Sequence, residues 1–230
     1  QGAGTRNCSG RALALTWLNG QAERARRGPC SLGRIIATPS PGPTPPTPRD
    51  DDAARARLRA ATADLHARVD ALFPGGLGCL DDYRRYLLGM HRFAVDYEHT
   101  TGTRARHSAW LSADLATLSL APLRAQGDGP PAPAQAAQLG WRYVMAGSSM
   151  GARVLLRDAR RLGFEPGHGA DFLAGHAAAD DWSRLQPRLR ALGADEAGMG
   201  AAVSGACAAF ARVRVCFERS FQRIPVAVAT

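Results

Sequence analysis

The chain has 230 residues, enough for one domain of ordinary size with a hydrophobic core, or for one domain plus a tail. Its 29 basic residues are all arginine, and their excess is uneven: residues 1–50 carry seven Arg against Glu23 and Asp50, while the remainder carries 22 Arg against 18 acids. A nucleic-acid binder should place a basic stripe with aromatic residues on its folded part. We therefore expect no nucleic-acid partner, and a mildly basic surface that suits an acidic protein or an anionic ligand.

The first 50 residues differ in composition from the rest of the chain. They do not begin with Met, they are rich in Arg and poor in acids, and they end in the Pro-rich stretch ATPSPGPTPPTPRD. Such a stretch holds neither a helix nor a sheet. We interpret residues 1–50 as a disordered Arg/Pro-rich extension, translated from upstream of the true start, and residues 51–225 as the folded domain.

From residue 51 onward the pattern is helical. Apolar residues recur at three- and four-residue spacing, Gly and Pro fall between the helical blocks, and few stretches alternate at period two. The predicted helices are 51–73, a second from about 81, 111–120, 134–162, 180–192 and 195–221. The sequence therefore predicts a single domain of the all-α class.

Cysteine usage and hydropathy indicate a cytoplasmic protein. The five cysteines are odd in number and include no CxxC pair; they are Cys8, Cys30, Cys79, Cys207 and Cys216. The last two are nine residues apart, on opposite faces of a predicted helix, so they cannot bridge within it. This predicts reduced thiols and no structural zinc. No apolar run approaches the length of a bilayer span, so we expect no membrane partner.

The first informative stretch is LRAATADLHARVDALF, residues 58–73. Leu58, Leu65 and Val69 belong to one apolar stripe, and His66 lies at its edge. A histidine in that position is either a core residue with hydrogen-bonded nitrogens or a ligand.

The second informative stretch is YVMAGSSMGARVLLRDARRLGF, residues 143–164, in which Gly147 and Gly151 share one helix face. Each glycine costs a helix interior roughly 1 kcal/mol relative to Ala. Two explanations stay open: a neighbouring helix packs closely here, or a flat ligand lies against bare backbone.

The same stretch also contains a G-x-S-x-G pattern around Ser149. Asp171 and His176 follow in the order of an α/β-hydrolase triad. That motif needs a strand–turn–helix elbow within a repeating βα pattern, which this sequence lacks, so a serine hydrolase is the runner-up. His91, His99 and His107 are spaced by eight and form no HxxxH metal pair.

Together the two stretches resemble the heme oxygenase family, in its bacterial, biliverdin-producing branch. The resemblance extends through LGF, GADFLAGH, the Trp182 helix and the closing helix with Ala209-Phe210, and it covers residues 55–220. It implies a helical bundle that binds heme between a proximal and a distal helix.

The resemblance implies a role for particular residues. His66 matches the proximal ligand of the heme iron, and Arg59, seven residues earlier, matches a basic residue that meets a heme propionate. Seven residues return to the same helix face about 10.5 Å along the axis, which suits this pairing. Tyr143 is implied as a second propionate contact, with Arg184 or Arg188 as a further clamp.

On the distal side, the resemblance implies that heme and O₂ lie against Gly147, Ser148 and Gly151. A site of small residues without a strong side-chain acid leaves the oxygen free to attack the porphyrin's meso carbon. The implied products are biliverdin, CO and ferrous iron. Position 146, often acidic in relatives, where it helps to anchor the distal water, is Ala146 here. This departure concerns turnover more than heme binding, and Arg142 is the candidate replacement.

The implied cofactors and partners follow from that reaction. Heme is both substrate and cofactor, O₂ is the oxidant, and electrons come from a ferredoxin or flavin reductase. A bilin-using photoreceptor is a candidate user of the product. We expect a monomer. A heme-binding protein of the same fold with little turnover stays open as an alternative.

Overall fold

The computed structural model describes residues 50–126, 133–193 and 195–224, and within these ranges the chain forms seven α-helices and no strand. The helices are α1 (Asp50–Asp70), α2 (Leu80–Thr101), α3 (His107–Thr117), α4 (Gln135–Arg161), α5 (Asp171–Ala178), α6 (Asp181–Leu192) and α7 (Glu196–Arg223). The predicted all-α class is confirmed. Residues 1–49, most of the predicted extension, lie outside the described residues.

Helix α7 is the centre of the bundle, where α1, α2 and α4 all pack against it. Its contact with α4 is made backbone to backbone. A Cβ added to Gly140 would lie 2.0 Å from the Ala202 carbonyl oxygen, and one added to Gly205 would lie 2.0 Å from that of Ala137. Because no side chain fits at either distance, these two glycines set the spacing of the helices.

Helix α7 is longer and more apolar than we expected when the sequence analysis found no apolar run of the length of a bilayer span. This 28-residue helix contains a window of mean hydropathy 1.3, so by length and composition it could cross a bilayer. The buried core helix of a globular protein passes the same test. Ala206, Ala209, Val213 and Phe217 of α7 are at most 1% exposed, which explains the apolar composition by packing.

Helix α3 begins four residues earlier than predicted because a distant carboxylate caps it. Oε1 of Glu98, on α2, accepts hydrogen bonds from the backbone N–H groups of Arg106, His107 and Ser108 at 2.9, 2.7 and 3.1 Å. The Ser108 hydroxyl donates to Oε2 of the same group. These amides are the ones a helix start leaves without internal partners.

Helix α5 was not predicted, and it too is capped from another helix. Asp114 of α3 accepts from the Asp171 amide through Oδ1 at 2.7 Å and from the Phe172 amide through Oδ2 at 3.0 Å. A helix of eight residues is marginal by itself. Its start depends on an acid 57 residues away, so a reading of local sequence misses it.

Candidate functional site

His66 has the surroundings of a metal ligand. Its side chain is 15% exposed, and its Nδ1 lies 3.1 Å from Oδ2 of Asp70, one turn further along α1. The ring meets the edge of Phe210 of α7, with centroids 5.6 Å apart. Donation from Nδ1 to a carboxylate selects the tautomer with its lone pair on Nε2, which is the usual arrangement of metal-binding histidines. Nε2, a buried atom, is then the ring nitrogen available to coordinate a metal ion.

The structure brings the predicted propionate contacts Arg59 and Tyr143 together. Tyr143 of α4 is 1% exposed, and burial raises the pKa of its hydroxyl, an effect that Arg55, Arg59 and a hydrogen bond with Thr62 partly oppose. Those three residues all lie on α1. We call the α1 surface formed by Arg55, Arg59, Thr62, His66 and Asp70 the His66 face.

Sequence analysis missed Arg55 as a member of this group. Its guanidinium lies over the ring of Trp182 of α6, 5.2 Å from the centroid, and that ring is 6.0 Å from the ring of Tyr143. The available signal was spacing, because Arg55 precedes Arg59 by one helical turn.

Helices α1 and α4 share neighbours while packing only sparsely on each other. Both pack against α6 and α7, and Tyr143 is a point where α4 reaches α1. A flat ligand held between a proximal and a distal helix needs two helices that are not closely packed along their lengths.

The predicted distal residues Gly147, Ser148 and Gly151 are all buried in the middle of α4. Ser148 Oγ donates to the Met145 carbonyl oxygen at 2.8 Å and lies 2.8 Å from His176 Nε2 of α5. The Ser148 hydroxyl is thus already hydrogen-bonded to groups of α4 and α5.

The surroundings of Ser149 do not match those of a serine hydrolase nucleophile. Ser149 lies in the interior of α4, where its Oγ donates to the Ala146 carbonyl oxygen at 2.7 Å. His176 faces Ser148, and Asp171 accepts from the Gly167 amide. The described residues therefore contain neither the strand–turn–helix elbow nor the Ser–His–Asp chain that nucleophilic catalysis by Ser149 needs.

Arg184 lies beside α4. It lines a cavity of about 210 Å³ between α2, α4 and α6. The walls of this cavity are Tyr97, Arg142, Met145, Ala146, Asp181, Arg184, Leu185 and Arg188. Arg142 donates to the Thr101 carbonyl oxygen at 2.9 Å. Ala146 is thus on the wall of an arginine-rich cavity.

A buried polar cluster joins the starts of α3 and α6 to α5, and sequence analysis did not find it. Its centre is His107, His176 and Asp181, and the capping carboxylates Glu98 and Asp114 adjoin it. We call these five residues the polar corner. Burial is the largest influence on His176 and lowers its pKa to about 3, so this imidazole is neutral at physiological pH. Three separate helices supply the central residues, and no local spacing signals them.

Comparison with known proteins supports the fold. No protein-family model matches this sequence, and no curated protein matches it. Among solved structures, the chain matches the heme oxygenase of Neisseria meningitidis, determined with NO and CO bound. The TM-score is 0.61 at 23% sequence identity, and the match covers 77% of this chain and 96% of the other. The fold is therefore the all-α fold of the heme oxygenases.

Proposed function

We propose that this protein is a heme oxygenase of the bacterial, biliverdin-producing kind. It binds heme through His66 and cleaves it with O₂ to biliverdin, CO and ferrous iron. The observation that carries the proposal is the contact of His66 Nδ1 with Asp70 at 3.1 Å, on the first helix of a heme oxygenase fold.

The residues around the His66 face fit the carboxylate end of a heme. A porphyrin with two propionates needs cations and hydrogen-bond donors about two helical turns from the iron ligand. Arg59 is seven residues before His66, and both Arg59 and Arg55 are close enough to the Tyr143 hydroxyl to lower its pKa. Arg184, beside Arg142 in the neighbouring cavity, is a further donor for an anionic group at the heme edge.

On the distal side, the described residues keep acid and bulk away from bound O₂. Heme, when bound, supplies the iron that activates oxygen and the carbon that is oxidised. Gly147 and Gly151 present backbone, and the Ser148 hydroxyl is committed to Met145 and His176. Position 146 carries Ala instead of an acid, so this stretch of α4 has no carboxyl group to protonate the oxygen.

In relatives an acid at position 146 also helps to anchor the distal water, so its replacement by Ala favours a second candidate, a heme-binding protein of this fold with little turnover. Arg142 uses one of its N–H groups to donate to the Thr101 carbonyl oxygen. Because a guanidinium has no acceptor atom, Arg142 does not replace an acid. For the active enzyme, we propose a cytoplasmic monomer that takes electrons from a ferredoxin or flavin reductase. Its product is available to a bilin-using photoreceptor.

Hemin titration followed by reduction tests the proposal. The purified chain should bind one hemin with a histidine-ligated Soret spectrum, and a reductase with NADPH and O₂ should convert that spectrum to the biliverdin band. His66→Ala should lose the histidine-ligated spectrum, whereas His99→Ala, at an exposed position of α2, should keep it. An unchanged spectrum in His66→Ala would contradict the assignment. Ligation without biliverdin would favour the second candidate.

Gly147→Leu tests the distal side, with Gly140→Leu as the matched packing variant. Gly140 touches α7 backbone, so Leu there should unfold the chain. If Gly147 faces heme, Gly147→Leu should fold and bind hemin at His66 but form little biliverdin, because its side chain fills the space for O₂. If Gly147 serves only packing, overfilling should cost about 1–3 kcal/mol of stability, and the folded fraction should turn over normally.

A further inference from the structure

Three ligand-type side chains converge in the polar corner. His107, His176 and Asp181 each offer one ligand atom, and the three atoms lie within 4.8 Å of one another. The histidines are 4% and 1% exposed, and 23% of the Asp181 side chain reaches solvent. Two imidazole nitrogens and one carboxylate oxygen are a set that zinc and other divalent transition metals bind, with further positions open to water.

His176 presents a ring nitrogen that the protein leaves unsatisfied. The hydroxyl of Ser148 has one proton, which it donates to the Met145 carbonyl oxygen. Its oxygen therefore accepts from Nε2–H of His176 at 2.8 Å, and the lone pair of His176 is on Nδ1. That atom is buried and has no hydrogen-bond partner among the described residues. A buried acceptor without a donor is costly, and a metal ion would satisfy it.

One nitrogen of Arg106 already bridges the other two side chains. Its Nη2 lies 3.1 Å from His107 Nε2 and donates to Asp181 Oδ2. Because a guanidinium can only donate, the neutral form of His107 presents its lone pair at Nε2 and carries its proton on Nδ1, which faces Glu98 Oε1 at 3.7 Å. Burial lowers the pKa of His107, but hydrogen bonds to Asp181 and Glu98 outweigh it and raise the pKa above its usual value, so a bound ion also displaces a proton. A carboxylate behind the second nitrogen is the usual support of a metal-binding histidine.

The Arg106 side chain lies at the surface, so it can rotate away from His107 and Asp181. Its side chain is 39% exposed, and its guanidinium lies over the ring of Trp110, 5.5 Å from the centroid. Outward rotation would expose His107 Nε2 and Asp181 Oδ2 without opening the apolar core. Since a guanidinium and a metal ion both carry positive charge, the two would compete for the same acceptor atoms.

We propose that His107, His176 and Asp181 form a binding site for a divalent transition-metal ion such as Zn²⁺, with the Arg106 guanidinium as the internal cation that the ion displaces. The site is built from α3, α5 and α6, whereas His66 lies on α1, so it stands whether or not the chain binds heme. A bound ion ties three helices together and thereby stabilises the folded chain.

Cobalt titration of the full chain without heme tests this site. At mildly alkaline pH, where imidazoles are neutral, Co²⁺ should bind one to one with the visible bands of a low-symmetry site, and Zn²⁺ should displace it and raise the Tm. His176→Ala should lose this binding. His91→Ala is the matched control, because His91 is also buried but bonds to Ser112 at 3.0 Å outside the cluster. His66→Ala should bind Co²⁺ as the wild type does.

Arg106→Gln separates a metal site from a permanent ion pair. Removing the competing cation should tighten Co²⁺ binding by about tenfold, which corresponds to about 1.4 kcal/mol. If His176→Ala fails to fold by circular dichroism, Asp181→Asn serves in its place and should also lose binding. No Co²⁺ bands in the wild type, equal binding in His176→Ala or Asp181→Asn, or binding by Arg106→Gln alone would each overturn the proposal.

Discussion

The His66 face and the polar corner hold buried polar groups in different ways. On α1, His66 meets an acid of its own helix, four residues later, so local spacing builds the pair. In the polar corner, Glu98 and Asp114 reach from one helix to the start of another, and His176 meets a serine of α4. Changes on the His66 face should therefore affect heme binding, while changes to the capping carboxylates of the polar corner should affect folding.

The largest effect should come from Glu98→Ala. This change leaves three backbone amides and the Ser108 hydroxyl without their buried acceptor, which should lower the free energy of unfolding by about 3–5 kcal/mol. Urea unfolding followed by circular dichroism measures it. Glu98→Gln keeps one acceptor oxygen and should lose less. A change in Glu98→Ala no larger than that of an exposed substitution would remove the capping argument.

Asp114 should make the polar corner sensitive to pH. Burial is the main cause that raises the pKa of Asp114 from 3.8 to about 6. Because the folded pKa is the higher one, this group's contribution to stability is present below its unfolded pKa and is lost as pH rises through about 6. The loss should be about 2–3 kcal/mol.

Urea unfolding of wild type and Asp114→Asn between about pH 4 and pH 7 measures this dependence. The variant does not titrate at this position, so its stability deficit relative to wild type should shrink as pH rises. Asp64→Asn, at an exposed position of α1, shows the generic effect of removing one charge. A deficit that grows with pH would reverse the sign of the argument.

Asp70→Ala should change heme affinity more than stability. Without the carboxylate at Nδ1, His66 loses the partner that orients its ring and fixes its tautomer. Hemin affinity should therefore fall by about 10–100-fold. Competition with apomyoglobin measures the affinity, and Asp64→Ala is the control on the same helix. Equal affinity in both variants would separate Asp70 from the function of His66.

The smallest effect should come from Arg57→Ala. Arg57 Nη1 bonds to Glu196 of α7 at 2.7 Å, but the two side chains are 48% and 80% exposed. Solvent screens such pairs, and many contribute nothing measurable. Unfolding midpoint and hemin affinity should match those of the wild type. A clear loss of stability would show that α1 also depends on contacts across the bundle.

Local pattern accounts for the features that were predicted correctly. The all-α class and six of the seven described helices follow from apolar periodicity. Where the prediction was wrong or incomplete, the cause was a contact between helices. The start of α3 depends on Glu98, and α5 depends on Asp114.

The glycines of α4 show the same division within one helix. Sequence analysis singled out Gly147 and Gly151 and left open whether they serve packing or a ligand. Gly140 of the same helix and Gly205 of α7 are glycines at which an added Cβ would lie 2.0 Å from a backbone oxygen of the neighbouring helix. The helix-propensity cost of a glycine is the same at every interior position of a helix. Only the packing of the neighbouring helix therefore shows which glycine allows a close approach.

The sequence by itself determined the helical class, and through its resemblance to the heme oxygenases it implied His66 as the candidate iron ligand. A helix places residues four and seven apart on one face whatever surrounds it. His66 with Asp70, and Arg59 two turns before, are of this kind. Only the tertiary structure decided that His107, His176 and Asp181 meet, since three helices separated along the chain must pack before those side chains are neighbours. Burial then sets their charge, as it does for the neutral imidazole of His176.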